Sequence, residues 1–257
     1  MNKFVKKIKH LIRKNKGKLS TYTGVYHTWS EAKSNSTQGQ AYANKKYDKR
    51  SLRKFTVDEK YTSGRNMIIP IVLATIKNKH RVILDIGGGV NSIFSHLSTT
   101  QKKINSCYVL EREEVSSKFN KIVPEKYKGN LKYISSINDI PYNNLDIVYF
   151  GSSIQYIKEY KELILNLVKL RPQIIIFSES IFSQLPDDIW VLQQNMGSNI
   201  FPNLFVAEEK FIAFMDNLGY SCTLNIESPI NKPDGHSHSQ IPRDQYKCKT
   251  LIFKQTH

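Results

Sequence analysis

Between residues 81 and 227 short apolar runs alternate with stretches of helical periodicity. Val82-Ile-Leu-Asp-Ile86, Cys107-Tyr-Val-Leu110, Asp146-Ile-Val-Tyr-Phe150 and Ile174-Ile-Ile-Phe177 are almost continuously apolar and of strand length. Runs of this kind suit strands buried on both faces of a parallel sheet, whereas a strand with one wet face alternates. The pattern predicts strands at about 81–86, 106–111, 131–135, 145–151, 173–178, 221–227 and 247–254, and helices at about 91–101, 113–121, 158–170 and 207–218. Parallel neighbours need long crossovers, and these helices supply them. Between the last two strands there is no helical pattern, only a loop marked by Pro229, Pro233, Gly235 and Pro242. The last strand is therefore expected to run antiparallel. The expected fold is α/β: a Rossmann-like, seven-stranded, mostly parallel sheet with helices on both faces.

Upstream the rhythm is different. In residues 4–12 the apolar positions Phe4, Val5, Ile8, Leu11 and Ile12 follow helical spacing, with lysines on the other face. Residues 1–18 are read as a basic amphipathic helix that could lie on an anionic membrane surface. Residues 19–80 form an N-terminal extension, aromatic and polar at first, with irregular structure and short helices expected and a helical pattern at 62–77. The main domain is expected at 81–257, with an insertion at 181–206 that covers its pocket.

Charge sharpens this division. The 257 residues carry 38 Lys and Arg against 22 Asp and Glu, and eight of the basic residues fall within residues 1–18, which hold no acid. The rest of the chain is only moderately basic. No zinc finger, aromatic-interleaved basic repeat or other nucleic-acid signature accompanies the charge, so no nucleic-acid partner is expected. The three cysteines, Cys107, Cys222 and Cys248, form neither a disulfide framework nor metal spacing, and no metal is expected. The best apolar run, Met67 to Ile76, contains Pro70 and is too short to span a bilayer. Leu11-Ile12 is followed by Arg13-Lys14-Asn15-Lys16, which leaves no signal-peptide core. A cytoplasmic protein, with peripheral contact at the inner membrane through residues 1–18, is the expectation.

The chemistry is concentrated in Val82-Ile-Leu-Asp85-Ile-Gly87-Gly88-Gly89. A buried strand delivers an aspartate and then three glycines ahead of a helix, so the backbone can approach a ligand closely and free N–H groups face an anionic group. Glu111 follows the second strand, where an acid accepts hydrogen bonds from ribose hydroxyls. Ser135 and Ser136 after the third strand, and Gly151 and Ser152 at the end of the fourth, complete the candidate cofactor set. The glycines do not follow the dinucleotide fingerprint, since the position of its third glycine is Ser92. That departure, the aspartate before the first glycine and the terminal hairpin favour S-adenosylmethionine over NAD.

Tyr22-Thr-Gly24-Val-Tyr26-His-Thr-Trp29-Ser-Glu31-Ala32, then Ser36-Thr37 and Gly39, resembles the opening of a bacterial family of class I S-adenosylmethionine-dependent methyltransferases found among surface-polysaccharide genes. Asp85-Ile-Gly-Gly-Gly89, Ser153-Ile-Gln155-Tyr156, Gln194, Phe201-Pro202 and Leu218-Gly219-Tyr220 continue the likeness over about residues 20–254. Gln40 and Asn91 depart from the pattern. The resemblance implies S-adenosylmethionine as cofactor, S-adenosylhomocysteine as product and a sugar or glycan as acceptor.

A hydroxyl acceptor needs a base to take its proton. His236 and His238, in the terminal hairpin loop at the rim of the sheet, and His27, in the aromatic block, are the candidates. Tyr26 and Trp29 are candidates to stack on a sugar, with Gln155, Tyr156 and Gln194 as further acceptor contacts. Two other classes stay open: an NAD(P)-dependent oxidoreductase acting on nucleotide sugars, and a non-catalytic module that binds membrane or nucleic acid through residues 1–18.

Overall fold

A computed structural model describes residues 22–37, 68–76, 81–89, 93–94, 106–194, 200–228 and 238–256. The basic segment 1–18, most of the helix expected at 91–101, and His236 lie outside the described residues.

The sheet is built outward from β2 (Val82–Ile86), which is buried along its whole length. β2 pairs in parallel with β3 (Ser106–Leu110) on one side and β5 (Ile147–Gly151) on the other. β3 continues in parallel to β4 (Leu131–Ile134), and β5 to β6 (Ile174–Ser183). Beyond β6, β10 (Tyr246–Gln255) runs antiparallel, and it is flanked in turn by β9 (Tyr220–Glu227). The order β4-β3-β2-β5-β6-β10-β9 contains the five parallel strands and the antiparallel last strand that the sequence predicts. A dinucleotide fold, with six parallel strands, has no such antiparallel strand inserted.

Helices cover both faces. On one, α2 (Ile68–Thr75) and α3 (Glu113–Ile122) place Ile69, Leu73 and Phe119 in a cluster with Ile83, Val109 and Tyr133. On the other, α4 (Tyr160–Leu167) and α5 (Glu208–Asn217) bring Ile164, Phe211 and Met215 onto Leu84, Phe150 and Phe177. Phe177 stacks on Phe150 at 4.7 Å between ring centres and meets Phe211 edge-on at 4.9 Å. Among the described residues no helix is long and apolar enough to cross a membrane.

Three strands go beyond the sequence pattern. The segment expected as a covering insertion is a hairpin of β7 (Ile189–Gln194) and β8 (Ile200–Ala207). β8 joins β6 in parallel at Phe182↔Val206 and Ser183↔Ala207. β1 (Tyr22–Tyr26), from the extension, adds antiparallel to β7 and is followed by the short helix α1 (Trp29–Ser34). Pro202 argues against a strand in the sequence, yet β8 meets β6 only at its last residues, so at Pro202 that side is an edge where proline is tolerated. Asp188 anchors the hairpin: its two carboxylate oxygens accept from the Tyr160 hydroxyl at 2.7 Å and the Ala207 N–H at 2.9 Å.

Gly24 redirects β1. It has φ +70°, and the β1–β7 register shifts between Thr23 and Tyr26. Strict alternation would put Tyr22 and Tyr26 on one face. The bulge separates them: Tyr22 joins Val191 and Phe205, while Tyr26 packs with Trp190 and Leu204.

The loop before β10 is pinned to β1 by His238, and this corrects its expected role as a base. Its Nδ1 accepts from the N–H groups of Gln240 and Ile241, both at 2.9 Å, which places the proton on Nε2, 2.9 Å from the Gly24 carbonyl. Neither nitrogen has a lone pair left for a substrate proton. Burial holds the imidazole below its ordinary pKa, opposed by the bond to Gly24. The neutral form is therefore favoured by folding, and its stabilisation is complete above the unfolded value of about 6.5 and is lost as pH falls below it. The melting temperature of the wild type should fall more steeply between pH 7.5 and 5 than that of His238→Leu. Parallel curves would remove His238 from the linkage.

Candidate active site

The ends of β2, β3 and β5 converge where the chain order reverses around β2, the place at which open α/β sheets bind ligands. Asp85 is buried, and its Oδ2 accepts from the Ile93 N–H at 2.8 Å, so the aspartate fixes the chain just beyond the glycine turn. Gly87 has φ +68° and donates to the Leu110 carbonyl at 2.9 Å. At Gly88 a Cβ would fall on the Asp85 carboxylate, so only glycine lets that side chain fold under the turn.

Glu111 and Gly89, 22 residues apart, are brought into contact. The Gly89 N–H donates to Glu111 Oε1 at 2.9 Å, and the Tyr133 hydroxyl donates to the Gly89 carbonyl at 3.1 Å. Burial raises the Glu111 pKa, while the bonds from Gly89 and Arg112 oppose that rise. Tyr133 was not singled out by the sequence reading, because a tyrosine in an apolar strand reads as core. Ser135 is exposed at the same edge, and the Ser136 hydroxyl caps the turn at Ile137–Asp139 by accepting from the Asn138 N–H at 3.2 Å.

After β5 the backbone is strained. Ser152 has φ +58°, and Glu179, in the neighbouring β6, has φ +49°. The two are joined: the Ser152 N–H donates to the Ser178 carbonyl at 2.8 Å, and its hydroxyl donates to the Glu179 carbonyl at 2.6 Å. Left-handed non-glycine residues cost on the order of 1–3 kcal/mol each and concentrate at functional sites. Ser153 comes next, with its Cβ 3.0 Å from where a Cβ on Gly87 would stand. Ser153 is buried, and its hydroxyl makes no hydrogen bond among the described residues. A glycine cradle and a buried hydroxyl beside it are features that fit a nucleoside cofactor with a polar amino-acid tail.

A second polar group lies on the accessory strands. Gln193 Oε1 accepts from the Tyr156 hydroxyl at 2.9 Å and from Asn203 Nδ2 at 3.1 Å, while Gln193 Nε2 stands 3.5 Å from the Tyr22 hydroxyl. Burial drives the Tyr22 pKa well above its ordinary value, so it stays a neutral phenol. Of the acceptor contacts expected from sequence, Tyr156 is in this group and Gln155 is buried beside it. Gln194 is exposed, and its neighbour Gln193 points inward instead, since adjacent strand residues face opposite ways. Tyr26 and Trp29 pack on the opposite side, in the seam between extension and core, with Lys158 5.4 Å above the Trp29 ring. His27 lines a cleft of about 250 Å³ with Lys158, Lys161, Asp188, Trp190 and Leu204, also on that side. Gln193 lies with Gln194 in the segment expected to cover the pocket, whereas nothing in the sequence marks Asn203 and Glu179, because an amide or acid inside an apolar run carries no motif.

No protein-family model matches the sequence, and no curated protein sequence matches it. Many solved structures resemble the fold, among them the following two. An S-adenosylmethionine-dependent methyltransferase from Clostridium acetobutylicum superposes with a TM-score of 0.51 at 11% identity, covering 82% of this chain and 99% of the other. The 1,6-didemethyltoxoflavin-N1-methyltransferase of Burkholderia thailandensis, whose structure holds S-adenosylhomocysteine and 1,6-didemethyltoxoflavin, superposes at 0.50 and 9% identity, covering 82% of this chain and 84% of the other. Strand order, glycine turn and superposition agree: the chain has the Rossmann-like fold of class I S-adenosylmethionine-dependent methyltransferases.

Proposed function

We propose that this protein is an S-adenosylmethionine-dependent methyltransferase of the polysaccharide-associated family that its opening sequence resembles, acting on a hydroxyl of a sugar or glycan. The observation that carries the cofactor half is the Gly89–Glu111 hydrogen bond, which places the glycine turn and the ribose-type acid side by side at the switch point. The sugar acceptor rests on the resemblance of residues 22–39, and the N-methylating Burkholderia protein leaves nitrogen as the second acceptor to try.

The cofactor supplies an electrophilic methyl group on a sulfonium. Gly87 to Gly89 and Ser153 would hold its amino-acid end, and Glu111 its ribose hydroxyls. A desolvated carboxylate with a raised pKa gains from hydroxyl donors that restore its lost hydration. Gly151 and Ser152 shape the floor where acceptor and methyl align, and alignment with exclusion of water is the main demand of in-line transfer. The accessory strands wall this edge. With His238 committed to the backbone and His27 on the far side, the acceptor proton is assigned to Glu179, a buried carboxylate at the same edge, with His236, outside the described residues, as the second candidate.

Residues 1–18 are assigned to peripheral contact with an anionic membrane. Each lysine near such a surface contributes about 1 kcal/mol, so deleting the segment should reduce co-sedimentation with phosphatidylglycerol vesicles. Equal sedimentation would end that assignment.

Calorimetry tests the cofactor reading. Removing a charge-assisted contact costs about 1.5–3 kcal/mol, so Glu111→Ala should bind S-adenosylhomocysteine roughly 10- to 150-fold more weakly. Glu111→Gln should lose less, because its amide oxygen still accepts one bond. Wild type that binds NADH and not S-adenosylhomocysteine would replace this reading with the oxidoreductase one.

A further inference from the structure

Buried polar groups in folded proteins almost always find partners, and those that do not call for an explanation. Three such groups sit along one edge of this molecule. Gln155 is 5% exposed, Asn203 0% and Ser153 7%, and among the described residues the Gln155 Oε1, Asn203 Oδ1 and Ser153 Oγ atoms have no hydrogen-bond partner. Gln155 lies in the single turn Ile154–Tyr156, which packs on β8 and β6, and Asn203 lies in β8. We infer that Gln155 and Asn203 form an acceptor-reading subsite that selects a neutral, hydroxyl-rich methyl acceptor through two buried carbonyl oxygens.

The polarity of the subsite follows from the network behind it. Gln193 Oε1 already takes hydrogen bonds from Tyr156 and Asn203, so the Asn203 amide nitrogen is spent there. Its oxygen is thereby turned the other way, as an acceptor held in place. Turning the amide round would set two carbonyl oxygens against each other. The Gln155 oxygen is an acceptor too. A site lined by acceptors binds donors and rejects groups that only accept, because each mismatch leaves two buried polar atoms without partners. Both oxygens are neutral, so the subsite itself offers an ammonium no opposite charge to offset its desolvation, and the Glu179 carboxylate at this edge is assigned to the acceptor proton. Hydroxyl donors satisfy the same atoms without carrying charge into the site.

The inference deepens the methyltransferase reading and rests on it, yet one readout is independent of cofactor and acceptor. A buried carbonyl without a partner destabilises the fold that contains it, and an apolar side chain of the same shape does not. Gln155→Met should therefore melt higher than wild type, by about 2–4 °C for a chain of this size. A lower or unchanged melting temperature would show that the amide is structurally satisfied and overturn the subsite. The second readout is saturation-transfer NMR with S-adenosylhomocysteine present. Its probes are the methyl glycosides of glucose, galactose, mannose and rhamnose, with cyclohexylamine as the cationic comparison. Wild type should bind at least one glycoside and not the amine, and Gln155→Met and Asn203→Leu should each lose that signal at least tenfold. Undiminished binding by the variants, preference for the amine, or no glycoside bound would overturn the inference. A calorimetric titration with S-adenosylhomocysteine shows that each variant is folded. Failure of wild type in that titration sinks the methyltransferase reading and the acceptor subsite with it, whereas wild type that binds S-adenosylhomocysteine but fails the melting or glycoside comparison overturns the subsite alone.

Discussion

The pairing of β6 governs the rest of this molecule. β5 ends at Gly151, opposite Ser178, while β6 runs on to Ser183. A buried strand cannot leave a row of N–H and C=O groups without partners. On one side β10 follows β6 along nearly its whole length. On the side that β5 vacates, β8 takes over at Phe182 and Ser183, and the change of partner falls around Glu179, whose φ of +49° marks the bend. From that handover β8 leads to β7, and β7 to β1. The accessory wall is the consequence of one strand outlasting its neighbour.

The same handover explains why strain and polarity gather at one edge. Ser152 spends its N–H and its hydroxyl on the Ser178 and Glu179 carbonyls, which closes the gap left where β5 stops. Two left-handed residues side by side are an expensive closure that a simple end to both strands would avoid. What the closure achieves is position: the turn after Ser152 is carried between the glycine loop and β8. Ser153 then abuts Gly87, and three residues later Tyr156 reaches Gln193.

The half proposed for the cofactor could be named from sequence because its parts are local. Asp85 and the three glycines are contiguous, and Glu111 comes one strand later, so strand ends and turn chemistry suffice to place them. The seven core strands were legible for a related reason, since runs such as Ile174–Phe177 are continuously apolar and follow a helical stretch. β7 and β8 were not, because Pro202, Gln193 and Gln194 interrupt the apolar pattern, and what permits them is tertiary: a half-open edge and a hydrogen-bond network. Tyr26 and Tyr22 sit in a segment with no strand pattern in the sequence, and the bulge at Gly24 that sends them to different faces appears only with the register of β1 on β7. His238 looked like a base for want of its partners, the Gly24 carbonyl and two N–H groups of its own loop.

The two halves of the site therefore differ in how they are encoded. The cofactor half comes from one strand-turn unit and the next strand end. The half proposed for the acceptor is a network of Tyr22, Tyr156, Gln193 and Asn203, with the Gln193–Tyr22 contact spanning 171 residues of chain. The network of β7 and β8 is thus separate from the glycine turn, whose contacts are with Asp85, Leu110, Glu111, Tyr133 and Ser153. Residues 153–156 touch both. Ser153 abuts Gly87 and Tyr156 bonds Gln193, so this one short turn ties the glycine loop to the accessory strands.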